Sequence, residues 1–133
     1  MKKPLPAPSD AELAILRALW NNSPATAKAI HDATNAGRKP PRVVTTTAKL
    51  LQIMLSKGLV TRDESTWPHT YVPAVSRAAI QRNVVARTVT ELFDKSAGQF
   101  ILAALESGAP SPAEIEEIKA MLAEYEQRGK NNE

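Results

Sequence analysis

The chain has 133 residues, a formal net charge of +3, only two each of Trp, Tyr and Phe, and no Cys. That length allows one domain, or one domain with an attached module, and its core must be filled by aliphatic side chains. The lack of cysteine excludes disulfides, zinc knuckles and thiolate metal sensing, and with no apolar run near the roughly 20 residues of a membrane span, and no apolar stretch in MKKPLPAPSD, a cytoplasmic protein is expected.

Residues 1–8 form a basic, Pro-rich lead-in with no expected fixed structure. Ser9-Asp10-Ala11-Glu12 reads as a capping box, because Glu12 stands three residues after Ser9 and can return to its backbone. It opens the run ELAILRALW, whose Leu13, Leu16, Leu19 and Trp20 share one face. Asn21-Asn22-Ser23-Pro24 ends this first helix. A short second helix is expected from Thr26, as N-cap, to about Thr34, with Ala27, Ile30 and Ala33 or Thr34 turned inward.

NAGRKPP, residues 35–41, holds Gly37 and two prolines and cannot continue a helix. Arg38, Lys39 and Arg42 bracket those prolines. From Arg42 to Val60 the sequence RVVTTTAKLLQIMLSKGLV predicts a third helix, with Leu51, Met54 and Leu55 packing and Lys57-Gly58 closing it. Its opposite face collects Thr46, Lys49, Ile53 and Ser56. Ile53 has three readings: a contact to a thymine methyl, a packing residue if the helix phase is one position off, or no role. Thr45 and Thr46 are either helix caps or contacts to DNA.

Leu59 to Arg62 then reads as a strand, Asp63 to Pro68 as a turn, and His69 to Val72 as the returning strand, stopped by Pro73. Three short helices followed by a hairpin is the order of a winged helix-turn-helix, in which the third helix enters the major groove and the hairpin lies beside the phosphates. Lys49 is expected to contact DNA, and Arg38, Lys39, Arg42 and Arg62 are phosphate-contact candidates. Trp67 at the wing tip is expected to fold back on the wing.

From Ser76 onward the pattern is purely helical. Ser76 caps a helix to about Asp94 with Ile80, Val84, Val85, Val89, Leu92 and Phe93 on its apolar side. Ser96 starts another, with Ala97, Phe100, Ile101, Ala104 and Leu105, ended by Ser107-Gly108. Ser111-Pro112-Ala113-Glu114 combines a capping box with proline at the first helical position. Ile115, Ile118, Leu122 and Tyr125 follow at a heptad-like spacing. Three helices with no sheet to cover their apolar faces are most simply buried by a second copy of the chain. The dimer contacts are expected at Val85, Val89, Leu92, Phe93, Phe100, Ile101, Leu105, Ile115, Ile118, Leu122 and Tyr125.

Charge divides the same way. Residues 1–75 hold ten Lys and Arg against five Asp and Glu, a net of +5, while residues 76–133 hold seven against nine, a net of −2. A basic first part suits a polyanion. No enzyme is expected: His31 and His69 have no serine–carboxylate arrangement around them, five glycines form no phosphate loop, and Glu114, Glu116, Glu117, Glu124 and Glu126 make a solvated helix face. His69, Asp63 and Glu64 are the conceivable ligand set across the wing, but no metal site and no cofactor are expected.

Across about residues 8–126 the chain resembles the penicillinase-repressor family of winged-helix transcriptional repressors. The resemblance rests on LAILRALW, TTAKLLQIMLSKGLV, YVPAVSRAAI, LFDKSAGQFILAAL and SPAEIEEIKAML, in that order. It implies a mainly helical protein with a winged-helix DNA-binding domain over residues 9–75 and a helical dimerisation domain over residues 76–128. It further implies a homodimer reading a dyad-symmetric, double-stranded DNA operator and blocking transcription. Family members commonly carry Thr-Val-x-Thr and then an arginine on the recognition helix. Here Thr46-Thr47-Ala48-Lys49 puts lysine at the second threonine, and Ile53 stands at the arginine, which implies a changed operator preference. The copper-responsive branch uses a cysteine-rich tail, and this chain has no cysteine. In the beta-lactam branch a signalling protease cuts within the C-terminal helices, and the comparable bond here is Ala103-Ala104. The alternative function is a winged helix used for protein contact, with Ile53 and its neighbours docking on another protein.

Overall fold

The computed structural model describes residues 5–131, in which six helices and three short strands form. Of the lead-in, residues 1–4 lie outside the described residues, and Leu5–Pro8 have neither helix nor strand. Helix α1 spans Asp10–Asn21. The Ser9 hydroxyl accepts the Glu12 backbone N–H at 3.2 Å and Glu12 Oε1 accepts the Ser9 N–H at 2.8 Å, so the capping box forms in both directions. Strand β1 is only Ala25–Thr26, and α2 follows over Ala27–Asn35 with the Thr26 hydroxyl accepting the Ala29 N–H at 3.1 Å.

Helix α3 spans Val44–Lys57 and ends at Gly58, whose φ of +77° is a conformation that a Cβ would strain. Its N-cap is Val43, which makes no side-chain cap bond. Thr45 and Thr46 therefore stand inside the helix, and their reading as caps is corrected: a cap must come from the residue before the first helical one.

Strands β2 (Val60–Asp63) and β3 (Thr70–Pro73) pair antiparallel with Val60 opposite Pro73 and Arg62 opposite Tyr71. β1 joins the other side of β3 through Ala25 opposite Tyr71, giving the order β1-β3-β2. Two residues are too few to show a period, so β1 carries no sequence signal. The Ala74 N–H donates to the Leu59 carbonyl at 2.9 Å, and ladder bonds alternate sides, so Pro73 presents its nitrogen toward β1, which has already ended.

The core collects Ile15, Leu16 and Leu19 from α1, Ile30 from α2, Leu51 and Met54 from α3, then Leu59, Val60, Tyr71 and Ile80. Leu13, Trp20 and Leu55, expected inside, are half-buried at its margin. Thr34 turns inward rather than Ala33, its hydroxyl donating to the Ile30 carbonyl at 2.9 Å.

Helix α4 spans Arg77–Leu92, with the Ser76 hydroxyl accepting the Ala79 N–H at 3.0 Å. Its start is clamped to the end of α1. Trp20 Nε1–H donates to the Val75 carbonyl at 2.9 Å, and the Arg77 guanidinium lies 5.1 Å from the indole centroid while donating to Asn21 Oδ1 at 3.2 Å. Contacts divide the chain into two compact units, one through Ala86 and one from Arg87. The first takes in Ile80, which lies beyond the expected boundary at Val75.

The second unit holds the end of α4, then α5 (Ala97–Ser107) and α6 (Pro112–Asn131). Ser96 caps α5 through the Gln99 N–H at 3.1 Å, and Ser111 and Glu114 complete the capping box of α6. The Phe93 and Phe100 rings meet edge to face at 5.5 Å. Neither α5 nor α6 buries a residue, and Leu92, Leu102, Met121 and Tyr125 are each more than half exposed.

Candidate nucleic-acid interface

Inside α3, Thr47, Leu51 and Met54 face the core. At about 100° per residue the outward face is then Thr45, Thr46, Lys49, Gln52, Ile53 and Ser56, all of them exposed. Ile53 is 39% exposed and stands away from Leu51 and Met54, so the reading of it as a misphased packing residue fails. Gln52 is a member that the sequence reading missed. Its signal was available: it follows Lys49 by three positions, one turn along the same outward surface.

Two long-range clasps aim this helix. At its start, Thr47 Oγ1 lies 2.7 Å from His31 Nδ1. Asn35 Oδ1 accepts the Arg42 backbone N–H at 2.6 Å, which fixes the orientation of its amide, and Asn35 Nδ2 then faces His31 Nδ1 at 3.0 Å as a donor. Asn35 Nδ2 also donates to the His31 carbonyl at 2.8 Å. The same network holds the loop carrying Arg38, Lys39 and Arg42 against α2.

At the other end of α3, Lys57 Nζ meets Glu12 Oε1 at 2.8 Å, and Glu12 is only 2% exposed. Burial pushes the Glu12 carboxyl up, but the Lys57 hydrogen bond, the Ser9 N–H, the Lys57 charge and the Ser9 hydroxyl together hold it below its ordinary value of 4.5. A depressed folded value contributes stability above the unfolded value, and this contribution is lost as pH falls through the folded one. Glu12→Gln should therefore flatten the acid limb of stability below about pH 4.5 relative to wild type, read by urea denaturation across pH 3–6. Asp63 and Glu114 add to the same limb in both proteins, since Ser65 and Ser111 hydrogen bonds lower them too. Parallel limbs for the two proteins would show that the clasp contributes nothing.

Arg38 and Lys39 are exposed, Arg42 is half-buried, and Lys49 is exposed on α3. Among the described residues none of these four side chains has an acidic partner. The wing differs. Arg62 donates through Nε and Nη2 to Glu64 Oε1, so part of its hydrogen-bonding capacity is already taken on the wing. Asp63 Oδ1 accepts the Ser65 N–H and hydroxyl at 2.8 and 2.6 Å. Trp67 packs edge-on against His69 at 4.9 Å yet remains 84% exposed. His69, Asp63 and Glu64 do not gather into a metal site, and no group of three metal-binding side chains exists among the described residues. Unpaired positive charge is thus concentrated from Arg38 to Lys49, beside the outward face of α3.

A three-helix unit with a hairpin wing, whose third helix presents hydroxyl, amide and ammonium groups beside unpaired cations, is a winged helix-turn-helix of the nucleic-acid-binding class. The penicillinase repressor family model matches residues 8–124, nearly the whole chain, and the chain belongs to that family. Comparison with curated proteins finds no match. No described helix is long and apolar enough to cross a membrane.

Proposed function

We propose that the chain is a homodimeric, sequence-specific DNA-binding repressor that acts in the cytoplasm on a dyad-symmetric operator. The observation that carries this reading is the outward face of α3, with Thr45, Thr46, Lys49 and Ile53, flanked by unpaired Arg38, Lys39 and Arg42, in a member of a repressor family. Residues 9–75 hold the reading elements. Residues 76–128 supply the dimer contacts, and the support for this is that α5 and α6 bury nothing within one chain.

An anisotropy titration of the full-length chain against a duplex of its own promoter region, at two salt concentrations, tests the reading, because phosphate neutralisation releases counterions and binding must weaken as salt rises. Lys49→Ala should cost about 1–3 kcal/mol and change base preference at one position per half-site, whereas Lys39→Ala should weaken all duplexes alike. A Lys49→Ala variant that binds every duplex as wild type does would remove Lys49 from the interface.

Repression is released by an inducing signal, through cleavage of the C-terminal helices by a cognate signalling protease or, in the alternative, without cleavage. The bond Ala103-Ala104 lies within α5, so cutting there requires local opening of the helix, and neither alanine offers a side-chain group for a selective pocket. An immunoblot of the host before and after derepression decides the point: a full-length band of undiminished intensity while the target genes are on rules cleavage out.

A further inference from the structure

Helix α3 carries two cations, Lys49 and Lys57, and Lys57 is committed to Glu12 at 2.8 Å. One ammonium group is thus left on the helix to meet the acceptor pair N7 and O6 of guanine. Beside it, Ile53 is 39% exposed on the face turned away from Thr47, Leu51 and Met54, and Gln52 is exposed next to it. A β-branched side chain in a helix holds essentially one χ1 rotamer, so the methyl groups of Ile53 are presented at a fixed place. On the floor of the major groove the apolar feature is the C5-methyl group of thymine, and the side-chain amide that matches adenine N6 and N7 is that of Asn or Gln.

We propose that Ile53 reads a thymine 5-methyl group, so that each half-site carries A·T pairs under the inner part of α3 and a single Lys49-directed guanine. This rests on the DNA-reading role assigned to α3 above. DNA is favoured over a protein partner because Ile53 stands alone among Thr46, Lys49, Gln52 and Ser56, whereas a docking patch needs contiguous apolar area.

The test begins with selection by the full-length chain from a randomised duplex library. Each thymine of the recovered sequence is then replaced in turn by deoxyuridine, which removes the 5-methyl group and nothing else. Wild type should lose about three- to tenfold in affinity at one thymine per half-site, the effect of losing one buried methyl contact. Ile53→Ala should bind the thymine and deoxyuridine duplexes equally, and Ile53→Val should keep most of the discrimination. Equal affinity of wild type for thymine and deoxyuridine at every position overturns the inference while leaving α3 as the reading helix. A library that enriches no sequence overturns the sequence-specific reading and the inference with it.

Discussion

A chain ending at Ala86 is expected to sediment as a folded monomer and to bind an isolated operator about two to four orders of magnitude more weakly than the full-length protein, because linked half-sites gain from effective concentration. The cut is placed at Ala86 because Ile80 is only 3% exposed and belongs to the core shared with α1 and α3. Ending at Val75 would remove Ile80, the Ser76 cap and Arg77 from over the Trp20 ring, and would confound lost dimerisation with lost folding. The driving force for association lies in the second unit, where Ile101, Leu105, Ile115 and Leu122 are each more than a third exposed in the single chain. Covering them is worth about 25 cal/mol for each Å² of apolar surface removed from water. Sedimentation of the full-length chain as a monomer at micromolar concentration would overturn this.

Leu51→Ala is expected to destabilise the first unit by about 2–5 kcal/mol, the range for truncating a fully buried leucine, against a typical total of about 5–15 kcal/mol. Leu51 is 0% exposed and sits where α3 meets α1 and the sheet, so the variant should lose both its urea midpoint and its hold on DNA as α3 loosens. The comparison with Ile53→Ala, two positions along, makes the measurement sharp. Ile53 faces outward, and its truncation should leave stability within about 0.5 kcal/mol of wild type. Were the helix turned from the phase described, the two variants would exchange effects. Chemical denaturation of both variants, each set beside its DNA affinity, separates stability from readout.

The capped starts of α1 and α6 and the end of α3 were legible in the chain because a cap is a local device. Ser9 with Glu12 and Ser111 with Glu114 act across three residues, and Gly58 closes α3 through its own φ. The exposed Thr46, Lys49 and Ile53 stripe was legible for a similar reason, since a period of 3.6 residues relates positions within one element. Gln52 was missed because the stripe was centred on Ile53, to one side of the true outward direction.

What only the tertiary structure decided are pairings that no spacing encodes. His31 finds Thr47 across 16 residues and Lys57 finds Glu12 across 45, and these contacts aim the helix whose side chains could be read beforehand. Ile80 joins the first core although its helix begins the second expected domain, because the Trp20–Arg77 contact lays the start of α4 against the end of α1. Arg62 has the composition of a phosphate contact, yet in the folded wing its charge is already met by Glu64. A residue's type and period tell what it can bind and which way it faces on its own element; whether another element already occupies that capacity is settled only when the chain closes on itself.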